Sequence, residues 1–493
     1  MSRHLFILNK NTLIRFLWGT SLFFFSFYYI GSLGFGEQIP VNDGLGWDGT
    51  IYAEMARLHT KELFNHYNSY LVQRILTPMI IHRIASVAHI DLMVTKNLLS
   101  VFLLYNYCLI MGCVYLLFRI GARLNWSSNT KYLCTGLLLF NFAVLKMNTY
   151  YPVLTDPSGM FMGMLGAYFY IDRNRLGLWI TALLGSFVFP SLIYNFACLF
   201  LFAFEGREKP SIRQSNGAIA LIVALMVCCW CLHCLFPLPE FASRFTSVDW
   251  RLLPLSLMAL GAYVFYGLRY SLTPLEMLRE FLKNFNVNAA LLFVILWVVV
   301  KLTINGIASD APPNMDLNRY IHAAPITAVV EPGISIALHI FYFGLAPVLM
   351  LLFWRQINQK AIEFGLGCVL FLLVTVIFSI CSESRQIITA FPMFLILLGS
   401  VLNRYRISWP VTITLILMNL IFSRFWFSLS KSVSLFFMNI GPWVTHSQYF
   451  VIVGFDLVIL LIVGFLFRKY VFSEVRSLPY EKQNYSQVVF EIR

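Results

Sequence analysis

A short acidic and aromatic cluster at residues 46–52 follows the first long apolar segment of the chain. It contains Trp47, Asp48 and Tyr52, and Asp43 lies just before it. A carboxylate held beside a membrane helix can take a proton from a reacting hydroxyl group, which is the chemistry of a general base. Asp48 can equally cap a helix that begins there, a common use of aspartate. The spacing alone leaves both interpretations open.

A second acidic residue, Asp156, lies in the short polar stretch 148–157 and is followed by a proline. Asp-Pro pairs often initiate turns, so Asp156 also has a purely structural interpretation. Two separate carboxylates on one membrane face would suit a general base with a helper. That helper would orient an acceptor hydroxyl or, with Asp48, hold a divalent cation such as Mg²⁺ or Mn²⁺.

Several basic residues are candidates for binding an anion. Arg74 follows the first acidic cluster, Arg385 lies beside Glu383 near the end of an apolar run, and Arg319 and His322 lie in a long polar stretch. The planar guanidinium binds phosphate well, and an arginine close to hydrocarbon is costly unless it meets an anion. Pairing of Arg385 with Glu383, or of any arginine with lipid headgroups, is the structural alternative.

The elements that position these residues are membrane helices. The chain has 493 residues, of which 59% are hydrophobic and 12% charged, and its mean hydropathy is +0.73. Soluble domains carry about 25% charged residues. We therefore expect an all-α polytopic membrane protein with one domain at 1–468 and a short tail at 469–493. The basic residues that give the net charge of +13 are scattered between apolar runs, which argues against nucleic-acid binding.

Length and apolar periodicity predict about 12–14 transmembrane helices. The candidate spans are 13–35, 95–118, 131–147, 158–171, 177–189, 190–204, 217–237, 251–271, 287–303, 333–353, 361–381, 387–402, 408–424 and 448–468. The two spans that meet at Phe189-Pro190 are too short to be ordinary crossings, so we expect two short or tilted segments there.

Most of the 36 basic residues lie in alternate loops, which sets the orientation by the positive-inside rule. Both termini are then cytoplasmic, and the outer loops are about 36–94, 148–157, 304–332 and 425–447. Residues 70–83 mix polar and apolar positions at helical spacing and are expected to lie along the membrane surface. All the candidate site residues fall on the outer face.

Asp456, within the last apolar run, is most simply a structural hydrogen-bonding residue, although an intramembrane acid can also belong to a proton pathway. Motifs absent from the sequence narrow the function. The chain has no Gly-rich phosphate loop, no His-Glu-x-x-His zinc pattern and no Gly-x-Ser-x-Gly nucleophile elbow. Transport driven by nucleotide hydrolysis and ordinary hydrolase chemistry lose support.

The order of these motifs resembles the GT-C superfamily, in its bacterial cell-surface glycopolymer branch. The residues that carry the resemblance are Trp47-Asp48-Gly49 with Tyr52, the stretch Gln73-Arg74-Ile75-Leu76-Thr77-Pro78, Thr155-Asp156-Pro157, and Glu383-Ser384-Arg385 followed by Pro392. Members of that superfamily are polytopic glycosyltransferases that generally use polyprenyl-phosphate sugars.

The resemblance implies a GT-C-like helical bundle in the bacterial inner membrane. Such an enzyme moves a sugar from a polyprenyl-phosphate donor to a glycan or lipid-linked acceptor on the extracytoplasmic face. It implies Asp48 as the catalytic base, with Asp43 as the alternative, and Asp156 as a second acidic site that positions the acceptor or a divalent cation. The implied donor-phosphate ligands are Arg74 and Arg385. Further candidate contacts are Trp47, Tyr52, Gln73, Arg319 and His322.

Two other functions remain open at this point. A polysaccharide polymerase or ligase also has many spans and outer-loop arginines, but its large functional loop usually comes late in the chain. A lipid-linked oligosaccharide flippase or other transporter would place charged residues at several mid-bilayer positions. In this sequence the charges concentrate at one membrane face.

Overall fold

The computed structural model of the protein describes residues 10–58, 65–206, 216–235, 250–312, 317–405, 407–429 and 444–468. In these ranges the chain forms 22 α-helices, one π-helix and one 3₁₀ helix, without a β-strand. The expected all-α class is therefore confirmed.

The α-helices, numbered in chain order, are α1 (Lys10–Phe35), α2 (Asp48–Arg57), α3 (Ser69–Val72), α4 (Leu76–Val87), α5 (Thr95–Arg123), α6 (Ser128–Leu139), α7 (Asn148–Tyr150), α8 (Asp156–Ile171), α9 (Arg175–Gly185), α10 (Leu192–Leu201), α11 (Gly217–Leu235), α12 (Leu253–Leu268), α13 (Pro274–Asn284), α14 (Val287–Ile307), α15 (Leu317–Ala328), α16 (Ile334–Phe343), α17 (Leu345–Leu352), α18 (Trp354–Phe364), α19 (Leu366–Phe378), α20 (Phe391–Leu402), α21 (Trp409–Ser423) and α22 (His446–Leu466). The π-helix covers Phe142–Met147, and the 3₁₀ helix covers Ser384–Ile387.

Five of these helices are long and apolar enough to cross a membrane: α1, α5, α11, α14 and α22. Eight shorter helices of 10–17 residues are also apolar. A helix needs about 20 residues to cross the hydrocarbon core, so the shorter ones are not long enough to cross it singly. At Phe189-Pro190 the chain forms two separate short helices, α9 and α10, as expected. The protein is a polytopic membrane protein.

Three predicted spans were wrong in their continuity. The span 361–381 includes the end of α18 and breaks at Gly365, which has a φ of 115°. The span 131–147 ends as an α-helix at Leu139, because the Asn141 side chain donates to the carbonyls of Leu137 and Leu138 and accepts from the Val144 N–H, which starts the π-helix. The span 333–353 breaks at Gly344, which has a left-handed φ of 71°.

The break at Gly344 depends on a close approach. The Asn419 side-chain oxygen accepts from the Leu345 N–H at 2.9 Å and lies 2.2 Å from where a Cβ at residue 344 would stand. A side chain at that position would displace Asn419. Apolar periodicity does not predict the breaks at Asn141 and Gly344, because both segments are continuously apolar in sequence.

The segments predicted to be outer loops contain more helix than expected. The loop predicted at 304–332 includes the last turn of α14 and the whole of α15. The surface helix expected at 70–83 is divided between α3 and α4, and Arg74 lies at the division. Because the chain turns there, the Arg74 side chain points into the protein and is buried.

Helix α8 is held close to the chain that precedes α20. A Cβ at Gly163 would lie 2.0 Å from the Thr389 carbonyl oxygen, and one at Gly159 would lie 3.2 Å from the Thr389 methyl group. Thr389 is also fixed from a third direction, because its hydroxyl hydrogen-bonds with Ser191 and accepts from Asn195. This packing brings the start of α8 next to the 3₁₀ helix at Ser384–Ile387.

Candidate active site

Glycines allow the first acidic cluster to pack tightly on the second. A Cβ at Gly46 would lie 2.4 Å from the Tyr151 ring, and one at Gly49 would lie 2.8 Å from both Tyr151 and Val153. The Gly49 N–H donates to the Tyr151 hydroxyl at 2.9 Å, and burial raises the pKa of Tyr151 to about 12. Helix α2 therefore begins directly against the stretch that leads to Asp156.

Neither aspartate caps its helix. The N-cap positions are Trp47 for α2 and Thr155 for α8, and neither cap has a side-chain hydrogen bond. Both carboxylates instead face Arg385. The capping interpretation of Asp48 and Asp156 is thus not the one that the structure adopts.

Arg385 joins the two carboxylates, although they are differently exposed. Its Nε–H lies 3.1 and 3.2 Å from the two carboxylate oxygens of Asp156, whose side chain is 1% exposed. Its Nη1 lies 3.6 Å from an oxygen of Asp48, whose side chain is 55% exposed. Glu383 is more distant, at 3.9 Å. Asp48 is the more accessible of the two carboxylates.

The Arg385 guanidinium keeps donors available. Within the described part of the chain, only its Nε–H makes a hydrogen bond, and the Nη groups contact Asp48 and Glu383 at ion-pair distances alone. Burial lowers the pKa of Arg385, but the carboxylates of Asp156, Asp48 and Glu383 outweigh that effect and hold it well above its usual range. The group is a permanent cation with N–H donors to offer an anion.

A histidine fixes the segment that carries Arg385. His339 of α16 is buried, and its two ring nitrogens lie 2.9 Å from the Ser379 carbonyl oxygen and 3.0 Å from the Ser384 hydroxyl. Since a carbonyl only accepts, Nε2 carries the hydrogen and Nδ1 accepts from Ser384. Hydrogen bonds with His339 therefore hold the chain on both sides of Glu383 to α16.

Arg74 forms a second buried cation near the same place. Its guanidinium donates to the hydroxyls of Tyr52 at 3.0 Å and Tyr70 at 2.9 Å, and it lies over the Phe189 ring at 4.7 Å. Its Nε is buried without a hydrogen-bond partner. Burial raises the pKa of Tyr52, which stays a neutral phenol, so the charge of Arg74 is not balanced by a carboxylate in direct contact.

An apolar groove begins beside the arginine-bearing segment. Its walls come from α12, α16, α17, α18, α19 and α20, and it comprises about 710 Å³ of space, part of which is open to the surroundings. Its lining includes His339 and Ile387, the latter two residues after Arg385, as well as Met350 and Trp354. The groove therefore lies next to the segment that carries Arg385.

The remaining candidate residues are placed differently. Trp47 is 45% exposed next to Asp48 and Tyr52 lies under it, so both belong to the cluster. Asp43 lies on an exposed turn with a left-handed φ of 52°.

The side-chain amide of Gln73 donates to the carbonyl of Ser69, four residues earlier, at 3.0 Å. His322 lies on α15, which packs against α11 and α16. Arg319 is on the first turn of α15, and its side chain lies outside the described residues.

Three residues of the cluster were not identified from the sequence. Tyr151 supports Gly49, His339 supports Ser384, and Tyr342 of α16 is fully buried in the electrostatic field of Asp156 and Arg385. The Tyr342 hydroxyl has no hydrogen-bond partner among the described residues. For His339 and Tyr342, the sequence signal was a polar side chain within an apolar run. Polar groups within membrane segments are costly unless they meet a partner, so such residues indicate a tertiary contact.

The cluster is not a ready-made divalent metal site. Asp48 and Asp156 both face the guanidinium of Arg385, which holds a positive charge where a bridging cation would have to lie. Mg²⁺ requires about six oxygen ligands in octahedral geometry, and no group of three acidic, histidine or cysteine ligands converges among the described residues. A divalent cation stays a prediction of the sequence, and we derive no step through it.

Comparison of the chain with protein-family models, with curated proteins and with solved structures found no match. The resemblance described above therefore rests on the motifs themselves. The cluster of Asp48, Asp156, Arg385 and Arg74, with an apolar groove next to the Arg385 segment, is the basis for assigning a function.

Proposed function

We propose that the protein is a membrane glycosyltransferase. It transfers a sugar from a polyprenyl-phosphate donor to a hydroxyl of a glycan or lipid-linked acceptor. The observation that carries this proposal is the pairing of an accessible carboxylate, Asp48, with a buried arginine, Arg385, on a segment whose Ile387 lines an apolar groove. The cluster faces the extracytoplasmic side of the bacterial inner membrane, and both termini are cytoplasmic.

Asp48 acts as the general base. Its exposed carboxylate accepts the proton of the acceptor hydroxyl as the hydroxyl oxygen attacks the anomeric carbon of the donor sugar. Asp156 does not exchange protons with the substrate, because its buried carboxylate is occupied by the Nε–H of Arg385. It holds Arg385 in place.

The leaving group is the polyprenyl phosphate. The bond between the anomeric carbon and the phosphate oxygen breaks as the new glycosidic bond forms, and its electron pair leaves with the phosphate. The Nη groups of Arg385 donate to the phosphate oxygens where this charge develops. A single direct displacement of this kind inverts the anomeric configuration.

Arg74 contributes through two tyrosines. Its guanidinium donates to the hydroxyls of Tyr52 and Tyr70, so each hydroxyl can direct its own hydrogen toward an anion. Tyr70 is half-buried and Tyr52 fully buried. Tyr70 is therefore the group that meets the donor phosphate, and the buried charge of Arg74 strengthens the hydrogen bond it donates.

The groove and the exposed tryptophan account for the two ends of the substrates. An isoprenoid tail is apolar and flexible, and the groove that Ile387 helps to line would offer it apolar walls close to Arg385. Trp47 presents a flat, half-exposed indole beside Asp48, on which a sugar ring can stack.

The test compares two neighbouring acids in purified protein. Asp48→Asn should lower sugar release from a polyprenyl-phosphate donor at least about 100-fold, the usual contribution of a general base. Asp43→Asn is the matched control, since Asp43 is exposed five residues earlier and lies outside the cluster; its rate should stay within about twofold of wild type. Wild-type transfer by the Asp48→Asn variant would contradict the proposal.

The same assay separates the other two functions. A flippase would move a lipid-linked sugar across proteoliposomes without cleaving its phosphate bond. A polymerase or ligase would transfer a preassembled oligosaccharide but release little from a single-sugar donor. Either result would contradict the proposed reaction. The phosphate-binding role of Arg385 could still be tested separately.

A further inference from the structure

Two arginines meet on the membrane face opposite the carboxylate cluster. Arg269 follows the end of α12 and Arg355 lies at the start of α18. Both guanidinium groups lie over the ring of Tyr270, with their central carbons 4.7 and 6.0 Å from its centroid. The two cations are therefore no more than about 11 Å apart.

Their position follows from the helices around them. Helix α20 leaves the site at Phe391 and ends at Leu402, and Arg404, just beyond it, forms an ion pair with Glu363 of α18. Helix α18 thus lies at the far end of the bundle from Arg385. A hydrogen bond from the Trp354 indole N–H to the Gly267 carbonyl, at 3.0 Å, joins α18 to α12 beside the two arginines.

Among the described residues, no acid pairs with either of the two positive charges. Within the described part of the chain neither Arg269 nor Arg355 forms an ion pair, whereas Lys360 and Arg404 on the same face both pair with Glu363. The Nε of Arg269 is buried without a hydrogen-bond partner. Aromatic faces offset part of the cost, since Arg269 also lies 5.3 Å from the Phe265 ring. An anion would offset the rest.

We propose that Arg269, Arg355 and Tyr270 bind the phosphate of an anionic phospholipid in the leaflet opposite the carboxylate cluster. Two guanidinium forks match the oxygens of one phosphate group. A lipid is favoured over a free ion because the site lies next to the apolar groove: Gly267, two residues before Arg269, and Trp354, directly before Arg355, both line it. Basic pockets between membrane helices are typical headgroup sites.

This site is independent of glycosyl transfer and is tested without an activity assay. The double variant Arg269→Gln/Arg355→Gln is compared with Arg119→Gln/Arg175→Gln, which removes two exposed arginines that form no ion pair within the described residues. Each protein is purified in neutral detergent, stripped of lipid and titrated with phosphatidylglycerol, phosphatidylcholine or inorganic phosphate. The thermal unfolding midpoint, Tm, is the readout.

Phosphatidylglycerol should raise Tm in the wild type and in the control pair. The apparent affinity should fall at least about tenfold in Arg269→Gln/Arg355→Gln, because charge-assisted hydrogen bonds are lost. Equal affinities in the two double variants would overturn the proposal. A full shift with phosphatidylcholine, or with inorganic phosphate alone, would overturn the assignment to an anionic lipid.

Two further measurements keep the test decisive if the glutamine pair does not fold. The variant Arg269→Lys/Arg355→Lys retains both charges but loses the planar forks, so it should bind more weakly than wild type yet still prefer phosphatidylglycerol. The phosphatidylglycerol shift of the wild type should also decline as NaCl is added. A shift that does not depend on salt would contradict an ionic contact.

Discussion

Asp48 and Asp156 occupy equivalent local positions, each the first residue of a helix. Their surroundings, however, differ in burial and in distance from Arg385. Asp156 is buried and shares the Nε–H of Arg385 between its two oxygens, whereas Asp48 is half-exposed and meets the same arginine at a longer distance. The buried acid fixes the cation, and the exposed acid remains free to react.

This division predicts unequal effects on stability. Asp156→Asn removes the charge that balances a buried guanidinium, so the free energy of unfolding should fall by about 3–5 kcal/mol. Asp172→Asn, in the partly exposed ion pair with Arg123, should cost no more than about 1 kcal/mol. Reversible unfolding in mixed detergent micelles measures both.

A double variant separates the ion pair from other effects of the substitution. In Asp156→Asn/Arg385→Gln the unbalanced charge is gone, so the loss in unfolding free energy should be smaller than the sum of the two single losses. Strictly additive losses would show that Asp156 and Arg385 do not depend on one another.

At the scale of elements, the site depends on close helix packing. The start of α2 reaches the loop before α8 only because Gly49 has no side chain, as a Cβ there would lie 2.8 Å from Tyr151 and Val153. In the same way, the absence of a side chain at Gly163 allows α8 to pack against Thr389. Small residues at these two contacts set the distance between Asp48, Asp156 and Arg385.

Gly49→Ala should therefore impair catalysis more than folding. The added methyl group forces α2 away from Tyr151, and displacing a catalytic group by about 1 Å can cost about 100-fold in rate. Overpacking typically costs about 1–3 kcal/mol in stability. Gly454→Ala is the matched control, because a Cβ there meets no atom within 4 Å. The measurements are the sugar-transfer rate and the thermal unfolding midpoint of both variants. A Gly49→Ala transfer rate equal to that of Gly454→Ala would show that the contact at Gly49 does not position Asp48.

The sequence was sufficient for the helical class and for the location of most apolar segments, because hydropathy over about 20 residues reports burial in lipid. It was insufficient for the breaks at Asn141 and Gly344. Each break depends on a side chain that caps freed backbone groups, Asn141 from within the segment and Asn419 from another helix. Hydropathy averages over such single polar residues.

The site was predictable only in part for a similar reason. The charge pattern assigned Asp48, Asp156, Arg74 and Arg385 to one membrane face, but it did not reveal which of them meet. The contact between Arg385 and Asp156 joins residues 229 positions apart. His339 and Tyr342 were hidden within an apolar run, where their partners come from other elements. Contacts of this kind follow from tertiary packing and leave no local periodicity.

On the scale of the whole molecule, the two membrane faces are chemically different. One face carries the mixed cluster of carboxylates and arginines, and the other carries Arg269 and Arg355, which have no acidic partner among the described residues. An excess of basic residues at one face is what the positive-inside rule associates with the cytoplasm. The cluster around Asp48 should then be extracytoplasmic.

Cysteine labelling tests this orientation. Glu54→Cys puts a thiol on the exposed side of α2, and Arg175→Cys puts one at the start of α9. An impermeant maleimide should label Glu54→Cys in intact cells, and it should label Arg175→Cys only after the membrane is permeabilised. The wild-type chain is the blank, because its ten cysteines lie in or beside apolar segments.

The reverse labelling pattern would place Asp48 in the cytoplasm without altering the contacts between Asp48, Asp156 and Arg385. The same chemistry would then have to use a donor whose sugar faces the cytoplasm, and Arg269 and Arg355 would meet the outer leaflet instead. Because anionic phospholipids attract basic residues most strongly at the cytoplasmic surface, that outcome would also weaken the lipid site. Orientation thus links the two faces of the protein, although each site is tested by its own variants.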